Sequence, residues 1–248
     1  MKSIVVANWK MNPPTMREAK QLFDATRKAA EQGKNFQLVV APPAIFLREL
    51  TAAYKGKRIS FATQNAHAEA KGAFTGATSL AQAKDARASF AVIGHSEKRA
   101  RGTNNDDTRR QVAAALALKL TPILCVGEQQ RDSSAEFFPF VREQLIAGFS
   151  DVPATQIAKV IVAYEPVWVI GGEKTMNPRQ MHEMAIFIRK TIVEQYGEKG
   201  HAIKILYGGS VNEESTRPML EGGDVAGLLV GHVSIDAPRF AALLATIG

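Results

Sequence analysis

The chain has a single cysteine in 248 residues, Cys125. One cysteine excludes an internal disulfide, and such sparing use suits a reducing compartment, so a cytoplasmic location is expected. No apolar run approaches the ~20 residues needed to cross a bilayer, so no membrane span is expected. Only Ile4–Ala7 precedes Asn8 as an apolar run, shorter than the core of a secretion signal. GxGxxG, Walker A, CxxC and HExxH are all missing, which removes the usual signatures of dinucleotide binding, P-loops, redox pairs and zinc proteases. There is also no low-complexity stretch, no linker-like composition shift and no long basic block. The net charge of +7 could draw nucleic acid, membranes or anionic metabolites. Its Lys and Arg are interspersed with acids on the expected helices, which reads as a solvated face that mildly steers anions. Neither nucleic acid nor membrane is expected as a partner.

What is present is a rhythm. Short apolar or alternating runs recur about every thirty residues: Ile4–Ala7, Leu38–Ala41, Ile59–Ala62, Phe90–Ile93, Pro122–Val126, Val160–Ala163, Ile203–Leu206 and Leu228–Val230. Helical spacing fills most of the gaps. Thr15 with Glu18, and Ser133 with Glu136, read as capping boxes. Ser79–Asp85, Asp106–Lys119, Phe140–Phe149, Asn212–Leu220 and Pro238–Leu244 read as helices, and Asn177-Pro178 opens the longest one. Eight strand–helix alternations without a composition break predict an α/β fold: one parallel (βα)8 barrel spanning residues 1–248 as a single catalytic domain. An open doubly wound sheet is the structural alternative. It would normally carry a glycine-rich nucleotide loop after the first strand, where this chain has Asn8-Trp-Lys-Met-Asn12.

In a parallel barrel the strand C-termini converge on one rim, so polar residues at strand ends carry the chemical signal. Glu165 ends the sixth strand, followed by the stiff Pro166, the bulky Trp168 and the pair Gly171-Gly172. A carboxylate base beneath a hinged apolar flap suits proton abstraction away from water; the plain alternative is a surface loop with one exposed Glu. Asn8 and Lys10 are two apart and are expected on one side of the first strand. A lysine aimed at a barrel mouth needs an anion, unless it snorkels to solvent. His95 ends strand four as either a core histidine or a catalytic one. If Ser96 opens a helical turn, the positive helix end favours neutral imidazole. Glu97 then orients Lys10 or caps that turn. Glu128 could hold the Trp168 indole, and Cys125 reads as a small buried apolar residue. Small residues after strands seven and eight, Tyr207-Gly-Gly-Ser210 and Val230-Gly231-His232, could offer backbone N–H groups to a phosphate.

The chain is similar over essentially its whole length to the triosephosphate isomerase family. The matching motifs, in order, are Asn8-Trp-Lys-Met-Asn12, Gln64-Asn65, Gly72-Ala-Phe-Thr-Gly76, Gly94-His-Ser-Glu97, Cys125-Val-Gly-Glu128, Ala163-Tyr-Glu-Pro-Val-Trp168, Tyr207-Gly-Gly-Ser-Val-Asn212 and Leu229-Val-Gly231. The resemblance implies a glycolytic and gluconeogenic enzyme that interconverts dihydroxyacetone phosphate and D-glyceraldehyde 3-phosphate without cofactor or metal. It implies Glu165 as the base, His95 as the group that polarises the carbonyl, Lys10 and Asn8 as substrate-holding residues, and Glu97 beside Lys10. Gly171, Ser210, Gly231 and His232 would grip the phosphate under a flap spanning 166–176. It further implies a homodimer, formed through the loop holding Thr75.

The chain departs from the family pattern at several places. His232 stands where a second glycine is usual, which would strain it if positive φ were required. Glu173 replaces a flap glycine, and Val169 and Met176 replace alanines. Ala226 stands where an aspartate is expected to meet Arg99. Ala77 and Lys98 replace a glutamate–arginine pair between subunits. These changes raise the alternative of a weakened enzyme, or a barrel that only binds a phosphorylated metabolite. A further alternative is a phosphate-binding barrel of amino-acid biosynthesis, which would not need Asn8, Lys10, His95 and Glu165 together.

Overall fold

The computed structural model describes residues 2–131, 135–170 and 176–248. In chain order the elements are β1 (Ser3–Asn8), α1 (Met16–Gln32), β2 (Phe36–Ala41), α2 (Ala44–Ala53), β3 (Ile59–Thr63), α3 (Leu80–Asp85), β4 (Phe90–Ile93), α4 (Ser96–Arg99) and α5 (Asn105–Ala117). Then come β5 (Thr121–Val126), α6 (Phe137–Phe149), β6 (Ile161–Tyr164), α7 (Pro178–Tyr196), β7 (Lys204–Tyr207), α8 (Glu213–Gly222), β8 (Gly227–Val230) and α9 (Ala237–Ile247). The strands pair in sequence order, all parallel, and β8 returns to β1 to close the cylinder. The expected (βα)8 barrel is thus the fold. No helix among the described residues is long and apolar enough to cross a membrane.

Strand alternation divides the apolar residues into two cores. Ile4 and Val6, Ile123 and Cys125, Ile161 and Ala163, Leu206 and Leu229 fill the inside of the barrel. Their neighbours Val5, Ala7, Leu124, Val162, Tyr164 and Tyr207 face outward and pack under the helices. Successive side chains on a strand point to opposite faces, so the next inward position past each interior residue falls on the rim. Those positions are Asn8, Gly127, Glu165, Gly208 and Gly231. Three of the five are glycine, which lets neighbouring groups approach these strand ends closely.

Local signals set the helix starts. Asn177 caps α7 through a full capping box with Gln180, and Pro178 occupies its first turn. Thr15 accepts from the Glu18 amide, but the Glu18 carboxylate meets the Thr15 hydroxyl instead of its backbone, so that box is half formed. Helix α5 starts one residue before the expected Asp106 because Asn104 and Asp107 cap it reciprocally. It stops at Ala117, and Lys119 takes a left-handed turn into β5. The cap expected at Ser133 lies outside the described residues.

Candidate active site

Glu165 sits at the end of β6, 2% exposed. Its position depends on two close approaches. A Cβ on Gly127 would lie 1.9 Å from the Glu165 carbonyl oxygen, and one on Gly208 would lie 2.9 Å from the Glu165 Cγ. Real Cβ contacts do not reach such distances, so the neighbouring strand ends must carry glycine for the carboxylate to lie where it does.

Both carboxylate oxygens are engaged. The Ser96 amide donates to Oε2 at 2.8 Å, and His95 Nε2 lies 3.1 Å from Oε1. Ser96 does open a short helix, α4, with His95 as its N-cap. The His95 Nδ1 accepts from the Glu97 amide at 3.2 Å. A ring nitrogen that accepts carries no proton, so this hydrogen bond selects the tautomer whose proton sits on Nε2, facing Glu165. The α4 turn therefore fixes the tautomer and anchors the carboxylate at the same time.

Lys10 meets Glu97 at 2.7 Å. Burial pushes the Glu97 carboxyl up, but the hydrogen bond and charge of Lys10 outweigh it and hold the group below its usual value. Of the two expectations for Glu97, the pairing with Lys10 is the one observed. Strand alternation, however, does not bring Asn8 and Lys10 together. Strand β1 ends at Asn8, and Lys10 has φ 54, a conformation uncommon outside glycine. The Asn8 Oδ1 accepts the Lys10 amide at 3.1 Å, closing a turn that swings the ammonium over the mouth.

These groups line one cavity of about 560 Å³ at the C-terminal rim, together with Ser210, Gly231 and His232. Glu97 stands behind Lys10 and is not part of the lining. After β7 the helix begins only at Glu213, capped by Asn212, so Gly209 and Ser210 form an open turn and do not start the helix. After β8 a single 3-10 turn, His232–Ile235, starts at Gly231. His232 is exposed and does not have positive φ, so the change from glycine causes no backbone strain. Gly171 and Glu173 lie outside the described residues.

The flap's ends are anchored. Trp168 donates its indole N–H to Glu128 at 2.8 Å, as expected, and the Tyr164 hydroxyl donates to the same carboxylate at 2.7 Å. Ser210 Oγ donates to the Val169 carbonyl at 2.7 Å, and Met176 is buried. Cys125 is fully buried inside the barrel, where desolvation and the nearby Glu165 charge push its thiol well up, so it is inert packing.

One expectation drawn from the departures needs correction. Ala226 does not leave Arg99 short of partners. The guanidinium donates to the Gly94 carbonyl, the Asn105 side chain and the Cys125 carbonyl. Ala226 lies just before β8, at the opposite end of the barrel, where its amide meets Ile205. Lys98 has a partner within its own chain, the Asn65 Oδ1 at 2.5 Å.

Sequence reasoning missed the Ser96 amide as the anchor of Glu165, and Arg239 as a cation at the cavity edge, where it pairs with Glu213 at 3.3 Å. The Ser96 signal lay in its place between His95 and the helical turn. Arg239 gave none, since the last helix brings it in from the C-terminal end.

A buried carboxylate, an imidazole and an ammonium around one rim cavity of a parallel barrel are the groups that a proton-transfer enzyme acting on a small anionic carbonyl compound needs. A family model described as triosephosphate isomerase matches residues 3–247. The chain is 37% identical over 246 residues to the triosephosphate isomerase of Endomicrobium trichonymphae, covering 98% of each protein. It is 37% identical over 244 residues to that of Clostridium acetobutylicum, covering 97% of this chain and 98% of that one. With that of Lactococcus lactis subsp. lactis it shares 35% over 246 residues, 98% and 97% of the two chains. The chain belongs to the triosephosphate isomerase family.

Proposed function

We propose that this chain is a working triosephosphate isomerase, interconverting dihydroxyacetone phosphate and D-glyceraldehyde 3-phosphate in glycolysis and gluconeogenesis. The observation that carries this reading is that Lys10, His95 and Glu165 all line the same cavity. In the proposed cycle Glu165 releases the Ser96 amide and takes a proton from the carbon beside the carbonyl. His95 Nε2–H donates to the carbonyl oxygen, where negative charge grows as the enediolate forms. The Lys10 ammonium, held by Glu97, offsets the charge of substrate and intermediate, and Asn8 positions it. Glu165 then returns the proton to the adjacent carbon, while the proton of the substrate's hydroxyl passes through His95 Nε2 to the former carbonyl oxygen, so that the new carbonyl forms. Each step uses a group of the chain itself, so the reading needs no cofactor or metal. The backbone at Ser210, Gly231 and His232, with Gly171 of the flap, is proposed to hold the phosphate.

A weakened enzyme, or a barrel that only binds, is not favoured. The acid–base groups are complete, and the unstrained His232 gives no reason for loss of grip. A coupled isomerase assay tests the reading. Turnover should be lost on Glu165→Gln while a substrate analogue still binds; an inactive unsubstituted chain would sink it.

A homodimer and a cytoplasmic location belong to the same proposal. Met11, Ile45 and Phe74 are 89%, 81% and 46% exposed, large values for apolar side chains. They follow β1, β2 and β3, three adjacent strands, and so lie on one side of the rim. Thr75 stands exposed in the same loop as Phe74. Light scattering should give twice the chain mass; a fully active monomer would contradict it.

A further inference from the structure

At the other end of the barrel the link between α2 and β3 is a rigid basic loop. The Tyr54 phenol oxygen accepts the amides of both Arg58 and Ile59 at 3.1 Å. The chain wraps so tightly over this ring that a Cβ on Gly56 would lie 2.4 Å from the hydroxyl. The Arg58 guanidinium is tied down by the backbone carbonyls of Glu31 and Gly33, at the end of α1. Between this loop and α1 lies a cleft of about 510 Å³, within the usual size of small-ligand sites.

Its charges do not cancel. Arg27 is matched by Asp24 and Glu31, and Lys20 by Glu49. Lys55 and Lys57 have no ion-pair partner among the described residues, and Arg58 spends its donors on neutral carbonyls. Three cations without carboxylates thus face one cleft, on a loop whose backbone is already fixed. A preordered loop loses little entropy on binding. Unmatched like charges held together repel until an anion joins them. Five cations against three carboxylates leave a surplus of two, carried on three separate side chains that several linked phosphates can meet together.

We propose that this cleft binds a small polyanion, a chain of two or three linked phosphates, at a site independent of the isomerase centre. A nucleoside triphosphate and inorganic tripolyphosphate share that chemistry. Isothermal titration of the intact protein with tripolyphosphate, ATP and orthophosphate tests this at low salt and near physiological salt. Tripolyphosphate should bind well ahead of orthophosphate, weaken as salt screens it, and leave KM for the triose phosphate unchanged. The double substitution Lys55→Ala/Lys57→Ala alters only exposed side chains. It should weaken tripolyphosphate binding about tenfold or more, with melting temperature and isomerase rate unchanged. ATP binding as tightly as tripolyphosphate would support a nucleotide as the source; tripolyphosphate alone would support an inorganic chain. No binding by the unsubstituted protein, equal affinity in the double variant, or competition with the triose phosphate would overturn the proposal.

Discussion

The Ser96 amide donates to Oε2 of Glu165 at 2.8 Å, while His95 Nε2 takes up Oε1 at 3.1 Å. The base is therefore parked between two donors. It must give up one before it can reach a carbon, so holding and using the proton acceptor are separate states of the same side chain. Glu165→Gln tests this pairing. A glutamine places one N–H group against a donor that needs an oxygen, so it loses a hydrogen bond as well as the base. The turnover number should fall about 10²–10⁴-fold, and stability by about 1–3 kcal/mol. Coupled assay and denaturant unfolding measure the two effects; unchanged stability would show that the parked contacts are not made in solution.

Gly208→Ala should move the base without removing it. The new Cβ would lie 2.9 Å from the Glu165 Cγ, so the side chain must shift. Displacements near 1 Å can cost about 100-fold in rate. We expect kcat to fall by at least tenfold, in line with that range, with KM little changed. A variant with normal kcat would mean the rim has room to spare.

The Lys10–Glu97 pair gives a pH signature. The Glu97 carboxyl is held below its usual 4.5 in the folded chain, because Lys10 outweighs the effect of burial. A depressed acid stabilises the fold above its unfolded value, and the contribution disappears as pH falls through the folded value. The melting-temperature gap between the unsubstituted chain and Glu97→Gln should be constant near neutrality and close as pH drops below 4.5. A gap that persists in acid would assign the effect to packing.

Tyr207 has a buried hydroxyl without a well-formed hydrogen bond among the described residues, with the Met176 backbone as a weak polar contact. Burial pushes its ionisation up to about 12, only partly eased by the nearby Met176 backbone. Tyr207→Phe removes a poorly satisfied buried group and should stabilise the resting fold by up to about 1 kcal/mol. The melting temperature should rise by up to about 2–4 °C for a chain of this size. Because the folded state keeps the phenol proton longer, the unsubstituted chain should lose stability from pH 10 upward toward 12, and the Phe variant should lose less. A fall in melting temperature on substitution would mean that the hydroxyl finds a partner in solution.

His232→Gly should leave kcat/KM essentially unchanged. The histidine is exposed and its backbone is unstrained, so glycine has nothing to relieve. A clear gain in kcat/KM would revive the weakened phosphate grip.

Much of this protein could be read without coordinates. Each strand lies within a residue or two of its expected run, because a strand buried on both faces must be a short block of apolar residues whatever surrounds it. The rim chemistry was legible for the same reason: Asn8, His95 and Glu165 are polar residues at the ends of apolar blocks. Legibility failed where a group's partner comes from another element. The left-handed turn at Lys10, the three acceptors around Arg99 and the arrival of Arg239 at the cavity edge leave no local pattern.

Periodicity and residue type, which act over a few neighbours, determined the eight-fold alternation, the inward and outward faces, and which polar side chains reach the rim. The pairing of the eight strands into one closed barrel decided the rest. It set the Ser96 amide against Glu165 and Glu97 against Lys10, and made Gly127 and Gly208 necessary. Those contacts depend on distances between segments far apart in the chain, and only the packed barrel sets such distances.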